Sequence, residues 1–530
     1  MQEPKAFEAH TSPSTHLDLP SPIASVAEQQ DGQDAVVPWL TWKAAIMGMV
    51  ASIGGLLFGF DTGQISGFVA MSEFKRHFGQ LDQRTGEYYF TTVRVGLIVG
   101  MFNIGNLSGA LLAAPIADRL GRKRPILYFC VIYTLGTIVQ VSAEYKWYQI
   151  VIGRCINGIG VGALSILVPL YTSETSPAHN RGMIVSGYQL YVTIGILIAY
   201  VVNFITESAK STAAWRITMS LDFFWALLLG CGLFFIPESP KYAYRKGHTE
   251  QTRTIMSQLL GVPKNHRIVT EEMRKMSDKL EAGSSRHNQH RWKPFAGPRV
   301  LYRTFLAVLM LSFLQLTGAN FFFYYGTTVF AATGLSNSYI TQIILGAVNV
   351  ACTLPGLYFS QRLSHRKCLT IGALWMSVCF LIFASVGHFL LDQEDPTRTP
   401  TAGTVMVVFA CLFIAAFAST WGPMSWGESA ALCPVQNRAT CMAVATAANW
   451  VWNFLLAFFT PFITAAIDYR YGYVFAGCCL AMAATTYFFL LESHGRTLEE
   501  LDTMYLLRVK AWKSKDWVAD EEHRLEPIDS

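Results

Sequence analysis

Long apolar stretches separated by short charged segments fill the chain from residue 43 onward. Ala44 to Phe60, Phe129 to Val141, Val185 to Phe204, Phe223 to Ile236 and Val405 to Thr420 contain no charged side chain. An α-helix needs about 20 such residues to cross a bilayer, and the pattern predicts roughly twelve of them, six on each side of a polar insert. The expected spans are 43–66, 93–116, 124–143, 147–171, 183–205 and 216–237, then 300–331, 338–359, 368–391, 403–432, 439–466 and 470–491. They divide the chain into a tail over 1–42, a first helical set over 43–237, a linker over 238–299, a second set over 300–491 and a tail over 492–530. Charged residues and stretches such as Glu271 to Leu280 predict short helices outside the membrane for the linker.

Composition agrees with this reading. With 52% hydrophobic and only 15% charged residues, the chain is a polytopic membrane protein rather than a string of soluble domains. The first residues, rich in Pro, Ser, Gln and acids, lack the basic start and apolar core of a cleaved signal, and predict a disordered tail. Basic residues crowd Arg119 to Arg124, Arg181, Lys241 to Arg303 and Arg362 to Lys367. The positive-inside rule places those segments, and with an even number of spans both termini, in the cytoplasm. That rule explains the basic insert without a nucleic-acid partner. The eleven cysteines are scattered through apolar spans with no metal-ligand spacing, so neither a disulfide framework nor a metal site is expected. No phosphate loop, zinc-protease helix or serine elbow occurs, and neither catalysis nor a cofactor is expected.

Three signatures recur in the same order in the two sets. Glu174, Pro177 and Arg181 are echoed by Ala431, Pro434 and Arg438, with the acid lost. Asp118-Arg119-Leu120-Gly121-Arg122-Lys123 is echoed by Gln361-Arg362-Leu363-Ser364-His365-Arg366, again without the acid. Phe234 to Ser239, including Pro237-Glu238-Ser239, is echoed by Phe488 to Ser493, including Leu491-Glu492-Ser493. Paired signatures at nearly constant separation mark a duplicated unit.

Charged residues inside apolar spans cost about 3 kcal/mol each on insertion scales and need a reason to exist. Asp61 and Arg154 are the clearest cases. Together, the arginine holds the carboxylate ionised; apart, a carboxylate in apolar surroundings takes up a proton. The pair is either a coupling device or a permanent structural ion pair. Asp222 and Glu428 lie closer to the expected membrane faces. A second constellation is amide and aromatic: Gln189, Gln315, Asn320, Tyr324, Tyr325, Asn349, Trp421, Trp426, Asn449 and Trp450. Amides supply donors and acceptors for hydroxyls and indoles a flat apolar face, a combination suited to an uncharged polyol such as a sugar. Most glycines in the spans predict close helix packing, while Gly318 and Gly422-Pro423 predict broken helices, the places where carriers bind solutes.

These residues resemble the sugar porter branch of the major facilitator superfamily, and within it the fungal hexose transporters. The resemblance rests on Gly59-Phe60-Asp61-Thr62-Gly63-Gln64-Ile65-Ser66-Gly67, the Asp118 to Lys123 run, Gly153-Arg154, and Glu174 with Pro177 and Arg181. It continues through Pro237-Glu238-Ser239-Pro240, Gln315 to Asn320, Tyr324-Tyr325-Gly326 and Trp421-Gly422-Pro423. It implies an all-α fold of twelve transmembrane helices in two six-helix bundles, with alternating access to a central site. Sugar contacts are implied for Gln189, Gln315, Asn320, Tyr325, Asn349, Trp426, Asn449 and Trp450, and a protonation pair for Asp61 and Arg154. A cytoplasmic gate is implied for Asp118, Arg119, Arg122, Glu174, Arg181, Glu238, Arg362, Arg438 and Glu492, with first-half acids expected to reach second-half arginines. The implied partners are a monosaccharide, most simply glucose or a related hexose, the lipid bilayer of the plasma membrane, and a proton if transport is symport. Leu314 departs from the family's paired glutamines, and Leu491 from its proline. These departures keep open a sugar sensor of the same fold, and a carrier for another polyol such as quinate or inositol.

Overall fold

The computed structural model describes residues 38, 41–84, 86–177, 181–287, 299–333, 337–392, 395, 398–434 and 437–517. The tail expected over 1–42 lies outside the described residues up to position 37. Among the described residues, eleven segments are long and apolar enough to cross a membrane. One of these is two helices joined by a 3-10 turn at Asp468–Arg470, so the spans number twelve. The first six are Trp42–Ala70, Thr92–Leu120, Lys123–Val141, Trp147–Thr175, Arg181–Thr206 and Ala213–Phe235. The second six are Val300–Ala331, Ser338–Arg362, His365–Phe389, Pro400–Leu432, Arg438–Ile467 and Tyr471–Phe489.

Local chemistry sets where these helices start and break. The side chains of Thr41, Asn337 and Ser364 accept hydrogen bonds from first-turn amides that would otherwise lack partners. The seventh span breaks at Gly318, whose φ of 87° belongs to the left-handed region that glycine enters without strain. A β-carbon there would also lie 2.8 Å from the rings of Phe380 and Phe475. The tenth span breaks at Thr420, ahead of the expected Gly422-Pro423. Pro423 falls in the first turn of the helix Trp421–Leu432, where a missing amide hydrogen removes no helical bond.

Each set of spans has its own apolar core. Phe129, Leu164, Val168 and Leu229 lie in the first core; Met310, Phe322, Phe380 and Phe413 lie in the second. Linker residues Ala243, Ile255 and Leu259 pack into the first core, and Leu501, Met504 and Tyr505, beyond the twelfth span, pack into the second. Both segments outside the membrane thus brace the set beside them. Phe235, Leu227 and Ile371 are exposed on the outside of the bundle, which suits acyl chains rather than water. Some spans approach very closely: a β-carbon at Gly59 would lie 1.9 Å from the Val192 carbonyl oxygen, so the first and fifth spans touch backbone to backbone there.

Candidate functional site

Three ionisable side chains from three spans meet in the interior of the first half. Asp61 of the first span, Arg154 of the fourth and Asp222 of the sixth are all fully buried. Arg154 Nη1 donates to Asp61 Oδ1 at 3.4 Å, and its guanidinium sits 4.7 Å from the centre of the Phe102 ring. Gln64, one turn after Asp61, donates from Nε2 to Asp61 Oδ1 at 2.8 Å and to Asp222 Oδ2 at 3.0 Å. One amide nitrogen has two hydrogens and gives one to each carboxylate. Two carboxylates therefore share one guanidinium. Burying a charge without a compensating partner costs several kcal/mol, so this pocket is sensitive to the charge on either carboxylate.

An uncharged polar cluster lies in the second half, organised by the break at Gly318. Asn320 Nδ2, just past that break, donates to Gln315 Oε1 at 2.6 Å and to Asn453 Oδ1 at 3.1 Å. Gln315 Nε2 donates to Asn449 Oδ1 at 3.1 Å, and Asn449 Nδ2 donates to the Leu311 carbonyl at 2.9 Å. Tyr324 OH donates to Asn453 Oδ1 at 3.1 Å, and its ring packs in a cluster with Ile65, Phe68 and Val99 of the first half. It thus stands between the two halves. Asn449 and Asn453 are four residues apart on one helix, so they present neighbouring amides.

The other expected contacts are placed around this group. Trp450 is buried, with its ring edge-on to Phe58 of the first half at 5.9 Å. Gln189 lies beside the broken tenth span, its Nε2 3.7 Å from where a β-carbon on Gly422 would stand. Trp426 is half-buried against the second core, and Asn349 is buried on the eighth span. Tyr325 differs: its hydroxyl is bonded to the Ala457 carbonyl, and its ring packs with residues closing one face. Leu314 is packed in the second core.

The halves are joined at the face opposite the linker. Ser66 and Thr327 share a hydrogen bond at 2.9 Å, Tyr339 OH donates to the Gly67 carbonyl at 3.2 Å, and Asn337 Nδ2 donates to Glu207 Oε1 at 3.2 Å. Burial pushes the Glu207 carboxyl above its usual range, against the opposing effect of the Asn337 bond.

On the linker face the charged signatures form two separate networks. Arg122 binds Glu174 through Nε and Nη2 at 2.9 and 3.1 Å, and Glu238 accepts from the Arg122 and Lys123 amides. Asp118 faces Arg122 and Arg245, while the Arg119 carbonyl accepts from Tyr242 OH. Arg181 opens the fifth span. In the second half Arg438 donates to the Ala430 carbonyl, Arg362 lies over the Tyr358 ring, and Glu492 accepts from the His365 amide. Among the described residues these bonds stay within their own half. Among those residues, no first-half acid pairs with a second-half arginine in this conformation. Because that face is not where the halves meet, each acid takes its partner locally.

A sequence profile described as Sugar (and other) transporter matches residues 47–505. The chain belongs to this family. It is 41% identical over 473 residues to the low-affinity glucose transporter HXT3 of Saccharomyces cerevisiae, covering 89% of this chain and 83% of the relative. It is 40% identical over 483 residues to the high-affinity fructose transporter ght6 of Schizosaccharomyces pombe, covering 90% of each. Among solved structures it resembles the inward open conformation of the xylose transporter XylE from E. coli. The TM-score is 0.71 and the identity 25%, over 87% of this chain and 99% of that one. XylE described as a proton:xylose symporter bound to 6-bromo-6-deoxy-D-glucose gives a TM-score of 0.70 at 25% identity, over the same shares of each chain. The twelve spans are those of the major facilitator fold.

Three residues of these clusters escape a reading of single motifs. Asn453 was findable from its spacing to Asn449. Asp222 looked peripheral by its position in the sixth span, yet it is buried against Gln64. Glu428 looked peripheral too, but it joins His365 in the second linker-face network.

Proposed function

We propose that the chain carries a hexose, glucose or a close relative, across the plasma membrane by alternating access and in step with a proton. The observation that carries this reading is the pairing of an uncharged amide cluster with two buried carboxylates that share one arginine. Gln315, Asn320, Asn449 and Asn453 offer donors and acceptors for sugar hydroxyls, and Trp450 and Trp426 offer flat apolar faces. Asp61 and Asp222 supply the proton site. When Arg154 pairs with Asp61, Asp222 holds the proton; drawing Arg154 away from Asp61 would bind a second. Tyr324, bonded to Asn453 and packed against Ile65 and Phe68 of the first span, ties sugar occupancy to that charge balance.

By the positive-inside rule the linker face and both termini are cytoplasmic. The joined face carrying Ser66, Thr327 and Glu207 is then extracellular, and this conformation is closed to the outside. The relatives named for glucose and fructose support a hexose over quinate or inositol. The test is uptake of labelled glucose in a host lacking its own hexose carriers, with and without a proton uncoupler. Accumulation that the uncoupler abolishes supports symport; absence of uptake despite surface expression overturns the transport reading in favour of a sensor.

A further inference from the structure

The two linker-face networks match in their four central links, with one chemical difference. In the first half Arg122 donates its backbone amide to Glu238 at 2.9 Å, its Nε and Nη2 to Glu174, and its Nη1 to the carbonyl of Ala117, five residues earlier, at 2.9 Å. In the second half His365 donates its backbone amide to Glu492 at 2.9 Å, faces Glu428 through Nδ1, and sets Nε2 2.6 Å from the carbonyl of Ser360, also five residues earlier. Ser239 donates to Glu174, and Ser493 donates to Glu428 at 2.5 Å. The acid missing at Ala431 is thus present three residues earlier, close to one helical turn, and the arginine is replaced by histidine.

That replacement makes the second network titratable. Arginine is always charged, whereas an imidazole has an ordinary pKa of about 6.5. A carboxylate and a carbonyl oxygen only accept hydrogen bonds, so both ring nitrogens of His365 must carry hydrogens for the network to close. Other charged groups around the ring are consistent with a cation. Glu428 faces it from the tenth span, and Glu492 faces it from the segment after the twelfth. His494, on that same segment, has its ring centre 5.3 Å away. On its own helix Arg366 is turned to the Tyr487 carbonyl, and from the eighth span Arg362 is turned to Tyr358. The side chain is 21% exposed, so protons reach it from solvent.

We propose that His365 is a proton-binding site which, while protonated, clamps the half-helix Trp421–Leu432 to the eighth and ninth spans and to the segment after the twelfth. Loss of the proton removes the cation that holds Glu428 and frees this half-helix, which begins at the Thr420 break and carries Trp426. The first-half counterpart, built on Arg122, does not respond to pH. The effect on transport rests on the hexose reading above; the clamp itself does not.

The clamp is tested on the full-length protein in lipid nanodiscs, with a spin label at Gly427→Cys and the exposed Cys231 replaced by serine. Gly427 is exposed with no atom within 4 Å of a β-carbon built there, so a label leaves the packing intact. In the otherwise native chain, the mobile spectral fraction should rise at least fivefold through a one-proton step as pH increases from 5 to 10. His365→Arg should remove the step and keep the label immobile. Glu428→Gln, which tolerates the same packing, should leave the label mobile throughout. Superimposable profiles for the native residue and His365→Arg, or a label immobile at every pH in Glu428→Gln, would overturn the proposal. Hexose counterflow at equal pH on both sides supplies a separate readout. The step lost in His365→Arg belongs to the clamp, while steps from the intramembrane carboxylates persist in both proteins. Failure of counterflow altogether would count against the hexose reading and leave the label result to decide the clamp.

Discussion

Asp61→Asn isolates the coupling chemistry with little change in shape. The carboxamide still accepts from Gln64, but Arg154 loses the anion 3.4 Å away. At that separation, and at an effective dielectric of 20, the lost attraction is about 5 kcal/mol. Removing one partner of a buried pair typically costs about 3–5 kcal/mol of stability, although Asp222, held through the same Gln64 amide, limits the damage by supplying a second anion. The functional consequence is distinct from the loss of stability. A membrane potential of 100 mV supplies about 2.3 kcal/mol per charge, enough for roughly 50-fold accumulation of a sugar that moves with one proton. The variant should fill vesicles only to an inside-to-outside ratio near one, with downhill entry continuing at a reduced rate. The assay is labelled-hexose uptake in proteoliposomes under an imposed proton gradient, normalised to protein orientation. Accumulation at the native level would refute the assignment of Asp61 to coupling.

Three further outcomes follow from the same geometry. Asn453→Ala strips partners from Asn320 and Tyr324 and should raise the half-saturating hexose concentration about tenfold, the scale of a lost buried hydrogen bond; unchanged saturation in counterflow would place the sugar elsewhere. Leu314→Gln should alter hexose preference and lower thermal stability by about 1–3 kcal/mol, because it puts an amide into the second core; an unchanged sugar profile would put Leu314 outside the pocket. Glu207 has its carboxyl raised by burial, so the closed outer face binds a proton more tightly than an open one. Closure should be strongest below the ordinary carboxyl range and weaken as external pH rises through the raised value. Labelling of a cysteine in the outer vestibule against external pH reads this, and Glu207→Gln should flatten it; a pH response that survives the substitution would refute the role.

The spans are legible in the sequence because crossing a bilayer demands long uncharged stretches, and the duplicated signatures point to two halves. The break at Gly318 was legible for a backbone reason, since that residue sits in a region others avoid. The tenth-span break lies at Thr420, two residues before Gly422-Pro423, because proline is tolerated in a first helical turn. Single motifs suggested Gln315, Asn320 and Asn449, but only packing between the seventh and eleventh spans brings them together with Asn453. The acid absent at Ala431 has a spatial counterpart outside the linear register of the two copies. Glu428 stands one turn away and finds Ser493 and His365, a match that only three-dimensional partners reveal. Among the described residues the cross-half gate is not formed in this conformation, because here the halves touch at the opposite face.

Coupling of sugar to proton through Asp61, Arg154 and Asp222 is most directly tested by proton movement itself. Purified protein in liposomes carrying an internal pH-sensitive dye, with no imposed gradient, should acidify the interior when glucose is added outside. Acidification should track sugar entry one for one, and Asp61→Asn should abolish it. Glucose entry at full rate with no change in internal pH would contradict the account.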